Sequence, residues 1–112
     1  MAAWRDVPKT EWRRFFDQMS KLQLVGKWAE IEVASPEIGD QTVAEKLPVI
    51  GITYDSGDDL LDVALVHDNR LIRHPRAIDV DEGPDGIVAV AVLDSEDARH
   101  VIRLTQPLTL PR

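Results

Sequence analysis

A chain of 112 residues has room for one hydrophobic core, and its 44% apolar and 29% charged residues are a globular balance rather than that of a disordered chain. It contains no cysteine, which excludes disulfides, thiolate zinc sites, iron–sulfur clusters and cysteine nucleophiles. The net charge of −7 is uneven: residues 1 to 28 carry +3 and the remainder −10, so a basic N-terminal segment precedes an acidic body.

The segment starting at Met1 lacks a basic stretch followed by an apolar run, and the longest uncharged apolar stretch, Gly86 to Leu93, is far short of the ~20 residues of a membrane span. The expectation is a cytoplasmic protein with no membrane partner. Trp12, Phe15, Phe16, Met19 and Leu22 fall at i, i+3, i+4, i+7 and i+10, one stripe of an α-helix over about 10–23. Thr10 is the expected N-cap and Gly26 the stop. At this spacing an aromatic stripe reads as core.

After Gly26 the period changes from helical to alternating. Strands are expected at about 27–34, 41–54, 60–67, 70–73, 77–81, 87–94 and 99–105, with turns at Ser35–Asp40, Asp55–Asp59, Asp68-Asn69, Gly83–Gly86 and Ser95–Asp97. Pro48 and Gly51 interrupt the second strand, which should therefore be bent or lie at an edge. Ile87 to Leu93 is continuously apolar, as in a central strand covered on both faces. The sum is a single α+β domain over 1–112: one N-terminal amphipathic helix on a bent antiparallel sheet of five to six strands, with partial closure into a barrel as an option.

Motifs of chemistry are weak. Asp79, Asp81 and Asp85 alternate before Gly86 like the start of a calcium loop, but Val90 occupies the twelfth position where an EF-hand has glutamate, so a solvated hairpin turn is the expectation. Asp55, Asp58 and Asp59 read as a turn for the same reason. His67 and His74 flank one expected hairpin and with Asp68 would make three metal ligands on paper; lacking a fourth constraint, neither they nor the aspartates are assigned as a site. No serine sits in a nucleophile frame, and no phosphate-binding glycine loop is present, so the sequence leans away from an enzyme and names no catalytic residue or cofactor. The acidic body argues against nucleic acid, Sm-like binders included.

Three segments carry a resemblance: Glu11-Trp12-Arg13-Arg14-Phe15-Phe16-Asp17, Lys27-Trp28-Ala29-Glu30-Ile31-Glu32-Val33 and Leu47-Pro48-Val49-Ile50-Gly51-Ile52. In that order they resemble a small bacterial family known only as a domain of unknown function. The resemblance implies a single domain and brings no activity. The leading expectation is a non-enzymatic binding or accessory module acting through protein contacts, homodimerisation included. A small-molecule or metal-binding domain is the alternative, and a carboxylate-dependent hydrolase a more distant one.

Overall fold

The structure, a computed structural model, describes residues 4–22, 24, 27–37, 39–84 and 86–108, with the side chains of 22, 43–45 and 106–108 outside the description. The expected stop at Gly26 and the candidate ligand Asp85 lie outside the described residues. A short strand β1 (Trp4–Asp6) leads into a 3-10 turn (Lys9–Glu11) and helix α1 (Trp12–Leu22). Then follow β2 (Trp28–Ser35), β3 (Gly39–Asp55), β4 (Leu60–Leu65), β5 (Asp68–Arg73), β6 (Pro75–Gly83), β7 (Gly86–Asp94) and β8 (Arg99–Leu108). All pair antiparallel in one sheet of order β1-β6-β7-β8-β2-β3-β4-β5.

The α+β class with a dominant antiparallel sheet agrees with the sequence reading, but the sheet has eight strands among the described residues rather than five to six, and it is open. β1 was not foreseen, because three exposed residues show no alternation. Closure fails because β1 and β5 each pair on one side only, so the sheet has two edges.

Trp12, Phe16 and Met19 are buried as their spacing requires, with Phe15 packed against the same core. The N-cap expectation is corrected: Thr10 lies inside the 3-10 turn, which opens at Pro8 without a side-chain cap. Proline suits that place because it has no N–H to leave unsatisfied. At the other end, the Leu24 N–H closes on the Met19 carbonyl at 3.2 Å.

The bend in β3 governs the architecture. Residues up to Pro48 pair with β2, residues from Val49 pair with β4, and the register slips between Val49 and Gly51. Past the bend, the edge of β3 turned away from β4 has no strand beside it. Helix α1 fills that place: the Ser20 hydroxyl donates to the Ile52 carbonyl at 2.7 Å and accepts from the Ile52 N–H at 2.9 Å. One hydroxyl thus satisfies both backbone groups that a neighbouring strand would have taken. The helix packs directly over Gly51, where a Cβ would stand at contact distance, 3.4 Å, from Ser20 Oγ. The second strand is thus bent at Pro48 and Gly51 as expected, and the terminal strands of the sheet are β1 and β5.

Two further differences are local. The β4–β5 reversal is at Val66 and His67 rather than Asp68-Asn69, for Asp68 already pairs with Leu65 and His67 takes φ of 68°. β7 is buried on both faces over Ala89 to Val92 as expected, yet it is third in the order, and β8 and β2 are the middle strands. One apolar cluster draws on α1 and on all strands from β2 to β8, so the sheet coils around a common interior. Among the described residues, no helix is long and apolar enough to cross a membrane.

Candidate functional site

The inward-facing positions of the sheet alternate along each strand, and in the middle of the interior they are apolar: Ile31 and Val33 in β2, Ile72 in β5, Val90 and Val92 in β7, Ile102 in β8. At one end of the coil the same parity turns polar. Two residues beyond Val33 stands Ser35, beyond Val92 Asp94, before Ile102 His100, and before Ile72 Arg70. These four side chains line one cleft of about 830 Å³, whose rim is completed by Pro36, Glu37, Glu96, Asp97 and Ala98. In the strand order β5 is four spacings from β8, about 19 Å in a flat sheet. Arg70 and His100 share a cleft only because the sheet coils.

Asp94 organises the floor. Its Oδ1 accepts the N–H groups of Glu96 at 2.8 Å and Ala98 at 3.0 Å, fixing the β7–β8 turn, while its Oδ2 lies 2.8 Å from His100 Nε2. Burial by itself pushes the Asp94 carboxyl upward, but the hydrogen bonds from His100 and from both backbone N–H groups outweigh it and hold the group below the ordinary carboxylate value. An ionised carboxylate only accepts, so Nε2 carries the hydrogen of this bond, and the second ring nitrogen, Nδ1, has no part in it. The His100 side chain is 6% exposed. Its Nδ1 is buried without a hydrogen-bond partner, and so is Arg70 Nε. They are the two such buried side-chain atoms among the described residues.

Charge in the cleft is divided. Asp94 is engaged by His100, and Asp97 by Arg76 at 3.0 Å. Among the described residues no ion pair reaches Arg70, Glu37 or Glu96. The site therefore presents one uncommitted guanidinium, two uncommitted carboxylates and one unpaired imidazole nitrogen on a ring held in orientation by a carboxylate.

The residues singled out from sequence lie elsewhere and are not brought together. His67 sits exposed in the β4–β5 turn and His74 at the far end of β5, seven residues away and about 20 Å along an extended strand. The strand between them holds them apart. Asp79 and Asp81 are on β6, opposite Ala91 and Ala89 of β7 and facing away from the main core. Among the described residues no three of His, Asp and Glu gather as a metal site.

His74 has a different partner. Its Nδ1 stands 3.3 Å from Asp59 Oδ2, its N–H donates to the Asp59 carbonyl at 2.8 Å, and both residues take left-handed backbone angles. Asp59 Oδ1 accepts the Tyr54 hydroxyl at 2.7 Å, and Lys9 stands 3.8 Å away. The Tyr54 hydroxyl bond, with help from His74 and Lys9, outweighs burial and lowers the Asp59 pKa. Burial first, then the bond to Asp59 and the charges of Asp59 and Asp55, push the Tyr54 phenol up to about 12. This cluster ties the 3-10 turn to two loops, and Tyr54 meets Trp12 edge-on at 5.1 Å. Its members are mutually satisfied, and it reads as a structural clasp.

The comparisons with known proteins agree with the resemblance. The model of a family of unknown function, DUF5335, matches residues 3–112. The chain belongs to that family. A protein of Aquifex aeolicus (strain VF5), itself called only an uncharacterized protein, is 36% identical over 111 residues, covering 97% of this chain and 98% of its own. No solved structure matches. The family carries no assigned activity, so function has to be argued from the cleft.

Proposed function

We propose that this DUF5335 member is a binding module whose ligand is a small polar molecule seated in the cleft between Arg70, Asp94 and His100. One observation carries the reading: the two buried side-chain atoms without partners, Arg70 Nε and His100 Nδ1, both belong to residues of the same cleft. A buried polar group left unpaired costs about 1–3 kcal/mol, and native structures hold few of them. Two unpaired polar groups on residues that line one cleft call for a molecule that brings hydrogen-bonding groups of its own. The volume, about 830 Å³, suits a small ligand, and the end of a coiled sheet is a usual place for one. The unpaired groups support binding.

The test is titration of 15N-labelled protein with carboxylates, amines, amino acids, sugars and nucleotides, read by amide shifts. At least one class should move residues 33–37, 70 and 94–100 together at millimolar concentration or below. Silence of those residues toward every class refutes the reading.

Association with a second copy is supported separately by edge strand β5, where Leu71 is 44% exposed. Sedimentation equilibrium of wild type beside Leu71→Lys tests it, and a monomer at all concentrations for both refutes it.

A further inference from the structure

The charges around the cleft say more about the ligand than its size does. A simple anion such as phosphate meets Arg70 favourably, but Glu37, Asp94, Glu96 and Asp97 surround the same space, and four carboxylates against one guanidinium repel a multiply charged anion. A simple cation is welcome at Glu37 and Glu96, yet it leaves Arg70 Nε–H without the acceptor it lacks. A neutral polyol satisfies hydrogen bonds and leaves three unpaired charges where they are. What matches every group is a molecule carrying both signs.

Resting on the small-molecule reading above, we infer that the cleft binds a small zwitterion, with a carboxylate on Arg70 and an ammonium group between Glu37 and Glu96. The carboxylate accepts from the guanidinium, whose planar fork fits two oxygens. The ammonium is the donor that the free rim carboxylates call for, beside the unpaired ring nitrogen of His100. Asp94 is spent on His100 and on the β7–β8 turn and Asp97 on Arg76, so neither competes for the ligand. The acidic residues are not by themselves the site. The deciding group is His100, a nine-tenths buried side chain among them with one ring nitrogen unpaired.

Dissecting the zwitterion tests this. Acetate and methylamine each carry one half, and glycine, β-alanine and 4-aminobutyrate carry both at increasing separation. Binding is read from amide shifts of residues 33–37 and 94–100 in the full chain. One member of the ladder should bind at least about tenfold more tightly than acetate or methylamine, the usual size of one charge-assisted contact. Arg70→Gln should weaken the zwitterion and acetate about tenfold and leave methylamine unchanged. The double variant Glu37→Gln/Glu96→Gln, both at exposed positions, should weaken the zwitterion and methylamine and strengthen acetate. If either half binds as well as every zwitterion, or if only a sugar or nucleotide binds there, the inference is overturned while the small-molecule reading stands. If no probe of any class shifts those residues, both fall.

Discussion

Replacing Asp94 by alanine removes one side chain that serves two purposes, and the cost can be worked out group by group. Loss of Oδ1 leaves the Glu96 N–H, which is exposed and recovers water, and the Ala98 N–H, which is part-buried. Loss of Oδ2 leaves the Nε2–H of a buried imidazole without an acceptor. Hydrogen bonds to a charged group contribute about 1.5–3 kcal/mol when broken from one side, and water recovers part of this at the exposed turn, so a total of about 3–4 kcal/mol is expected. That is a large share of the roughly 5–15 kcal/mol that holds a small domain. Asp94→Asn keeps an acceptor oxygen for the turn and should cost about half as much. Urea unfolding of wild type and both variants at neutral pH measures this. The pH dependence has a definite sign: a carboxyl whose folded pKa lies below its ordinary 3.8 stabilises above that value and loses the contribution as pH falls through the folded pKa. The wild-type advantage over Asp94→Asn should therefore shrink below about pH 4. A loss under 1 kcal/mol for Asp94→Ala, or a wild-type advantage that does not fall below about pH 4, shows that Asp94 does not organise the cleft.

Three other outcomes follow from the fold. Ser20→Ala strips Ile52 of both partners and should cost about 1–3 kcal/mol in a thermal melt, with faster hydrogen exchange at the Ile52 amide; unchanged exchange there contradicts the helix-for-strand substitution. Phe16→Ala should cost about 3–5 kcal/mol, against less than about 0.5 for the exposed Arg14→Ala, and near-equal melts would mean that the aromatic stripe is not core. Tyr54 is the single tyrosine, so ultraviolet titration of the folded protein should show a phenol at about 12 rather than 10. Because its folded pKa is raised, it stabilises fully below the unfolded value and loses that contribution between about pH 10 and 12, and a phenol titrating near 10 refutes the Asp59 clasp.

The parts of this fold that depend on near neighbours were legible in the sequence. Trp12, Phe16 and Met19 declare a helix face through their spacing alone, and Pro48 with Gly51 declares a bend because neither sustains a straight ladder. The β7–β8 turn and most strand limits could be read in the same way. The reversal at Val66-His67 was hidden, since Asp68-Asn69 is the stronger turn signal by composition and only the pairing of Asp68 with Leu65 overrides it. The cleft was hidden for a longer-range reason: Arg70 and His100 meet through the coiling of a sheet whose strand order no local pattern reveals. One local signal was nonetheless present. His100 shares parity with Ile102 and Leu104 and so is a polar residue on an otherwise apolar face, whereas Arg70 shares parity with Asp68 as well as Ile72 and stands out less, and the aspartates of β6 alternate outward from Ile78 and Val80.

The imidazole of His100 is where the account is most exposed to test. Its ring 15N signals, recorded in the free protein and with the tightest-binding probe, report which nitrogen carries the proton and what meets the other. Hydrogen on Nε2 is expected in both states, with an Nδ1 signal that shifts on binding and a shift that is lost in Arg70→Gln when the probe is a carboxylate. Hydrogen on Nδ1 in the free protein, or an Nδ1 signal indifferent to every ligand that binds, would contradict it.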